Sequence, residues 1–217
     1  AEQVSEEKAA SFHERWVLGY GHASVAEHAI LHMAVENTSR LAADTLEDNR
    51  LASYTEKSSR YQVIDSGDYY VPSEFNESKV REIYVEACEN LFSGYQHLVV
   101  SICEYLSGVR PKEDGERDGA YNMRLRREAT DSCRFLLPAS TLTNIGVTIN
   151  ARSLEHAITK LLSSDLVEEQ ELGEELKMQG RSITPTLVKY ADYNEYIAQT
   201  REAMRDLAVS STATRKE

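Results

Sequence analysis

Hydrophobic and polar positions follow a helical period over most of the chain. Residues 5–18 place Ala9, Phe12, Trp16 and Val17 near helical spacing, and Gly19-Tyr20-Gly21 stops that helix. Ser24 with Glu27 three positions on has the form of a capping box. Residues 29–35 are mostly apolar, a run short enough to be helix or buried strand. Thr38 or Ser39 is placed to cap a helix through about Leu46, and residues 49–66 read as loop. Tyr69 to Pro72 looks like a short strand ended by proline. The longest helix is expected from Ser78 to about Leu106, with Val80, Ile83, Ala87, Leu91, Leu98, Ile102 and Leu106 near one face and Gly108 and Pro111 closing it. After a charged loop at 110–119, a helix is expected over about 121–137, ahead of Pro138. Ile145 to Ile149 is β-like, and Asn150 is a plausible N-cap for a helix through about Leu162. Asp165 with Glu168 forms another capping-box pattern, with Gly180 as the stop. Pro185 fits a helix N1 position. A last helix covers about 194–208, and the tail to Glu217 is expected to fray. The pattern is that of a helix-dominant α/β (α+β) chain with a few short strands.

Composition narrows the class. The chain has 217 residues, enough for one domain with its own core, and a single domain over 1–217 is the expectation. Net charge is −12, which argues against a nucleic-acid or membrane-surface partner, since both need a positive field. An anionic ligand in a local basic pocket stays open. The chain has 41% hydrophobic and 28% charged residues, a soluble globular composition. No apolar run has membrane-spanning length, and the start, residues 1–8, is too acidic and polar for a signal peptide. Three widely spaced cysteines, Cys88, Cys103 and Cys133, fit a reducing cytoplasm. The opening Ala1 is compatible with processing or with one part of a longer chain.

Few residues announce chemistry alone. His28 and His32, four apart, would share a helix face as zinc ligands do, but no third His or Cys ligand is near, so no metal is expected. Cys133 reads as a small buried hydrophobe rather than a nucleophile. Arg50 and Arg60 flank a hydroxyl-rich loop, a composition suited to phosphate or to an ordinary solvated turn. Arg124, Arg126, Arg127 and Arg134 spread over several helix faces, and the run Glu168, Glu169, Glu171, Glu174 and Glu175 reads as a solvated face. Walker and GxGxxG patterns are missing.

Four segments together go further. Gly21-His-Ala-Ser-Val-Ala-Glu-His28 resembles the GHxSxxEH segment of the flavin-dependent thymidylate synthases, the ThyX family, and Ser39-Arg40 follows at that family's spacing. Asp48-Asn-Arg-Leu-Ala-Ser-Tyr-Thr-Glu-Lys-Ser-Ser-Arg-Tyr61 is similar to the family's RHRxxSxNExSxRY. Cys133-Arg134-Phe-Leu-Leu-Pro138 resembles ARxxLP, and Thr148-Ile-Asn-Ala-Arg-Ser-Leu154 resembles TxNxRxL. The resemblance implies a ThyX-like domain, helix-rich with a small mixed sheet packed against long helices, in a homotetramer with composite sites. It implies reductive C5 methylation of dUMP to dTMP, with methylenetetrahydrofolate as carbon donor and FAD, reduced by NADPH, as hydride source. By matching position, His22, Ser24, Glu27, Arg50, Asn150 and Arg152 are flavin contacts. Glu56, Ser58, Arg60 and Arg134 are nucleotide contacts, with Ser58 donating to the phosphate and Arg60 pairing with it. No catalytic residue is assigned, and no cysteine attacks the base.

The chain departs from the pattern at specific places. Asp48 and Asn49 stand for the first two members of RHR, Thr45 for the Gln before it, and Thr55 for the signature Asn. Leu161 stands where the family has the arginine that holds the uracil ring, and residues 166–175 are acidic where the family has its AQWEIR-type stretch. Two alternatives therefore stand beside an active synthase. One is a catalytically impaired homologue, serving as a structural or regulatory subunit or as the degenerate half of a tandem protein. The other is a pyrimidine-nucleotide methylase of altered specificity. Arg50, Arg60, Arg134 and Arg152 are expected to make a local positive pocket.

Overall fold

A computed structural model of the chain describes residues 5–75 and 79–213. Ser5 opens helix α1 (Glu6–Phe12): its hydroxyl accepts the Lys8 amide at 3.3 Å, the N-cap role. The helix widens into a π-helical turn, His13–Gly19. Gly21, at φ 73°, then turns the chain, and a 3-10 helix starts at Ala23 and runs to His28. Ser24 thus lies inside that helix, and the expected capping box does not form.

Strand β1 (Ile30–Ser39) shows the 29–35 run to be strand. Helix α2 (Arg40–Glu47) follows at once. Ser39 ends β1 and directly precedes α2. The Arg40 and Leu41 amides, two of the first-turn donors, donate to the Thr141 and Ala139 carbonyls at 2.9 and 3.0 Å. Strand β2 (Ala52–Glu56) occupies the segment expected to be loop. Then come α3 (Lys79–Val109), α4 (Asp118–Cys133) with a 3-10 turn at Arg134–Leu136, β3 (Leu142–Asn150), α5 (Ala151–Leu162), α6 (Val167–Ile183) and α7 (Glu195–Ala213). The expected helix start at Ser78 and the end of the tail lie outside the described residues, and α7 extends beyond residue 208.

The strands form one sheet in the order β1-β3-β2. Arg40 pairs with Thr141 and Ala151 with Ala29, while Lys57 donates to Asn144 at 2.9 Å. One partner's number falls as the other's rises, so the expected mixed sheet is antiparallel. Thr143, Ile145, Val147 and Ile149 are buried at alternate positions of the central strand. In β1 the buried series Leu31, Val35 breaks at Asn37, the one described non-glycine residue with positive φ (57°), and resumes out of step at Thr38. Tyr69 makes a single antiparallel bridge to Thr141 rather than a strand.

The chain divides into two compact units, one of Ala1–Val35, Ala42–Thr55 and Gly146–Glu217, the other of Glu36–Leu41 and Glu56–Ile145. In the first, α5 packs on α6. A Cβ at Gly173 would come within 3.1 Å of Leu161 and Leu162, and one at Gly180 within 3.1 Å of Leu154. Gly180 is therefore a close-approach position inside α6 and does not end it. Pro185 begins no helix; it follows α6 in a turn, where proline blocks further helix. Leu166, not Asp165, precedes α6, and Asp165 pairs with Arg205. Glu169 leaves the solvated acidic face: it is buried, accepts the Thr45 hydroxyl at 2.7 Å and lies 3.6 Å from Arg201.

In the second unit α3 packs on α4 around Ile64, Phe92, Tyr95, Val99, Leu106, Leu125, Ala129 and Cys133. The buried face of α3 is turned about a quarter turn from the apolar stripe read in the sequence. Val80, Ile83, Ala87, Leu91 and Leu98 stay exposed, because the larger Phe92 and Tyr95 side chains anchor the contact.

Candidate functional site

The first unit holds a cavity of about 710 Å³, lined by Glu27, Asp48, Asn49, Arg50, Leu51, Arg152, Ser153, His156 and Lys160. Two elements supply most of it. Helix α5 presents Arg152, His156 and Lys160 at intervals of four, one face of a helix. Its phase is set by Asn150, whose side-chain oxygen accepts the Ser153 amide at 2.9 Å. The 48–51 segment after α2 supplies the rest. Buried Asn49 donates to the Leu46 carbonyl at 2.7 Å, and the Tyr54 hydroxyl donates to the Leu46 and Asn49 carbonyls at 3.0 and 2.9 Å. Burial, with Glu47 and Asp48 adding to it, pushes the Tyr54 phenol up to about 12, so it stays a neutral donor.

The lining carries three cations, Arg50, Arg152 and Lys160, and two carboxylates, Glu27 and Asp48. Arg152 pairs with Glu27, and Lys160 pairs with Asp48. Lys160 also donates to the Thr45 carbonyl at 3.3 Å. The Lys160 ammonium, hydrogen-bonded to Asp48, holds that carboxyl below its usual value. The three cations outnumber the two carboxylates by one. Two guanidiniums and an ammonium on one cavity are a donor set that fits phosphate groups.

The second unit carries the other predicted contacts. Arg60 grips Asp131 with its Nε at 2.9 Å and a terminal nitrogen at 3.1 Å. Arg134 Nε reaches the same carboxylate at 3.0 Å. The Arg60 hydrogen bond leads in holding Asp131 below its usual range. Ser58 Oγ accepts the Arg60 amide at 3.3 Å. Glu56 is paired with Arg40 at 3.1 Å, both half-buried, and Arg40 also donates to the Lys57 carbonyl at 3.2 Å.

Three of the six expected flavin contacts, Glu27, Arg50 and Arg152, thus share one cavity. His22, Ser24 and Asn150 are not in its lining: Asn150 caps α5, Ser24 sits in the 3-10 helix, and the His22 ring stacks 6.5 Å from Tyr20. Of the four arginines expected to make one positive pocket, Arg50 and Arg152 line this cavity and Arg60 and Arg134 do not; Arg152 is paired with Glu27, and Arg60 and Arg134 with Asp131. Ser153, His156 and Lys160 were not read from the sequence. For His156 and Lys160 the signal was the four-residue spacing from Arg152 behind a capped start.

Other candidates resolve structurally. His28 ends the 3-10 helix, whereas His32 lies in β1 with Nδ1 3.0 Å from Thr148 Oγ1, so they share no helix face. Among the described residues no three His, Cys, Asp or Glu are grouped to hold a metal. Cys133 is buried, and burial raises its thiol. All three cysteines are free. Of the arginine cluster, Arg124 is locked to Glu116 at 2.8 and 3.0 Å, and Arg127 lies 4.8 Å over the Tyr61 ring. Leu161 is fully buried. Among the described residues no helix is long and apolar enough to cross a membrane.

The family model described as thymidylate synthase complementing protein matches residues 1–186. A UPF0159 protein of Chlamydia muridarum is 35% identical over 86% of this chain and 36% of its own length. A flavin-dependent thymidylate synthase of Clostridium tetani is 28% identical over 88% of this chain and 74% of its own. The chain spans 36–42% of the length of the UPF0159 relatives that it matches. Among solved structures, thymidylate synthase X of Helicobacter pylori, crystallised with FAD and dUMP, shares the fold. Its TM-score is 0.58 and its identity 23%, over 88% of this chain and 87% of that one.

Proposed function

We propose, from the premise that this chain belongs to the thymidylate synthase complementing protein family, that it is an FAD-binding domain acting in the reductive methylation of dUMP to dTMP. The observation that carries this reading is the cavity on which Glu27, Arg50 and Arg152 meet, three positions that match the family's flavin contacts. Its cations fit a diphosphate, and Arg50 and Arg152 would hold one. Asn150 acts through α5, whose start it fixes, and His22 and Ser24 belong to the neighbouring 3-10 segment. Bound FAD, reduced by NADPH, would supply the hydride, and methylenetetrahydrofolate the carbon.

The nucleotide falls to the second unit. Arg60 and Arg134 would hold its phosphate, with Ser58 donating; the permanent charge of a guanidinium suits a dianion. Asp131 keeps both guanidiniums aimed at one point before the phosphate arrives. Glu56, oriented by Arg40, is available as a nucleotide contact. The free cysteines fit a reducing cytoplasm. The exposed stripe Val80, Ile83, Leu91 and Leu98 supports self-association, in the family a homotetramer.

One observation favours a second reading. Leu161, which stands for the arginine that holds the uracil, is fully buried rather than turned to a ligand, so an intact domain would have to supply that contact. The degenerate half of a tandem protein fits this better than a methylase of altered specificity. The test is the visible spectrum of purified protein after FAD addition and removal of free ligand, followed by dTMP formation from dUMP, methylenetetrahydrofolate and NADPH. A retained flavin band with turnover supports the synthase. A retained band without turnover supports the impaired half, and no retained band removes the flavin reading.

A further inference from the structure

Asp48 and Lys160 line not only the large cavity but also a smaller one of about 470 Å³, with Asp44, Thr45, Glu47 and Arg201. Their ion pair is wall to both. Its two ends are held unequally. The Lys160 side chain is 18% exposed and tied to the Thr45 carbonyl, whereas the Asp48 side chain is 71% exposed. When such a pair opens, the carboxylate returns to water at little cost, while the ammonium stays where the protein fixes it.

We propose that Lys160 is the displaceable anion anchor of this cavity: a phosphate-bearing ligand takes the ammonium from Asp48, which swings into solvent. The proposal rests on the reading that the cavity takes such a ligand. It also gives the unusual Asp48 a role. The signature cation is missing at position 48, and a cation enters the same cavity from α5 instead, so positive charge is kept while its origin moves. Asp48 then competes with the ligand. A neutral or singly charged ligand gains little by displacing it, whereas a phosphate dianion or diphosphate gains a charge-assisted contact.

The test is calorimetric titration of inorganic pyrophosphate into wild type, Asp48→Asn, Lys160→Met, Lys160→Arg and Asp48→Asn/Lys160→Met, with FAD retention measured in parallel. Removing the competitor in Asp48→Asn should tighten pyrophosphate several-fold, and Lys160→Met should weaken it about tenfold. Lys160→Arg should recover most of the loss. In the Lys160→Met background Asp48→Asn should change affinity far less, because the two residues act on one contact. Equal affinity in all variants overturns the anchor, as does failure of wild type and Asp48→Asn to bind pyrophosphate. If Lys160→Met does not fold, solvent-exposed Asp48→Asn and charge-preserving Lys160→Arg decide: no tightening in the first overturns the proposal. FAD retained by wild type with no response to either residue leaves the flavin reading standing and removes the anchor. A pyrophosphate response without FAD retention does the reverse.

Discussion

Gly173 gives the space of its missing side chain to Leu161: a Cβ there would stand 3.1 Å from the Leu161 Cβ and equally near the Leu162 side chain. The Leu161 contact is with a Cβ, which cannot swing aside as a chain end can. Gly173→Ala should therefore cost about 1–3 kcal/mol by overpacking. Gly180→Ala should cost less, because its nearest neighbour at 3.1 Å is the terminal Cδ2 of Leu154, which can turn away. Urea unfolding of the two variants checks the order; equal midpoints would show that α5 and α6 are less tightly seated than this.

Leu161→Arg, which rebuilds the signature arginine, should not restore a uracil contact. The site is fully buried, and the new guanidinium would be an unpaired charge in the core, costing about 3–5 kcal/mol. A thermal melt with a dTMP-formation assay decides the matter. A stable variant with higher turnover would mean that this position reaches the ligand.

Arg60→Ala and Arg134→Ala should each weaken dUMP binding about tenfold or more, and the double variant by less than the product, since both arginines are aimed by Asp131. Asp131 lies below its ordinary value of 3.8 in the folded chain. The stabilisation from this fork is therefore present above that value and is lost as pH falls through the lower folded one. Across neutral pH the fork stays closed. Titration of dUMP by calorimetry from pH 5 to 8 should show no step from Asp131.

Glu116 is shifted further: the Arg124 hydrogen bond and the Glu113 amide push it down to about 2. Its contribution is complete above its ordinary value of 4.5 and disappears as pH drops toward about 2. Glu116→Gln should flatten the acid limb of the stability curve within that window and leave the neutral part little changed in slope. Chemical denaturation at a series of pH values gives the comparison.

Tyr54→Phe removes one hydroxyl that bonds both the end of α2 and the loop behind it. It should cost about 1–2 kcal/mol and loosen the 48–51 segment. Hydrogen exchange there should rise more than in α5. Uniform exchange across both would place the lock elsewhere.

The helices were legible where a cap and a long period agreed, as at Asn150 and α5. Strand β2 was not, because its five residues, Ala52 to Glu56, sit among turn-forming hydroxyls and alternate only between half-buried and exposed. The face of α3 was misread because equal weight on every apolar position cannot tell Val80 and Leu98 from the larger Phe92 and Tyr95. Gly180 looked like a stop, since a glycine serving helix contact carries no different letter. At the site, motif positions brought Glu27, Arg50 and Arg152 together. Lys160 was invisible because its meaning depends on Asp48, 112 residues away.

Asn150 closes a strand and caps a helix in the same residue, so β3 indexes the angular phase of α5. Each residue turns a helix by about 100°. Losing only Ala151 would bring Ser153, Ala157 and Leu161 to the angles that Arg152, His156 and Lys160 hold now. A single deletion, with every side chain of the polar stripe still encoded, would turn a cationic wall into an apolar one.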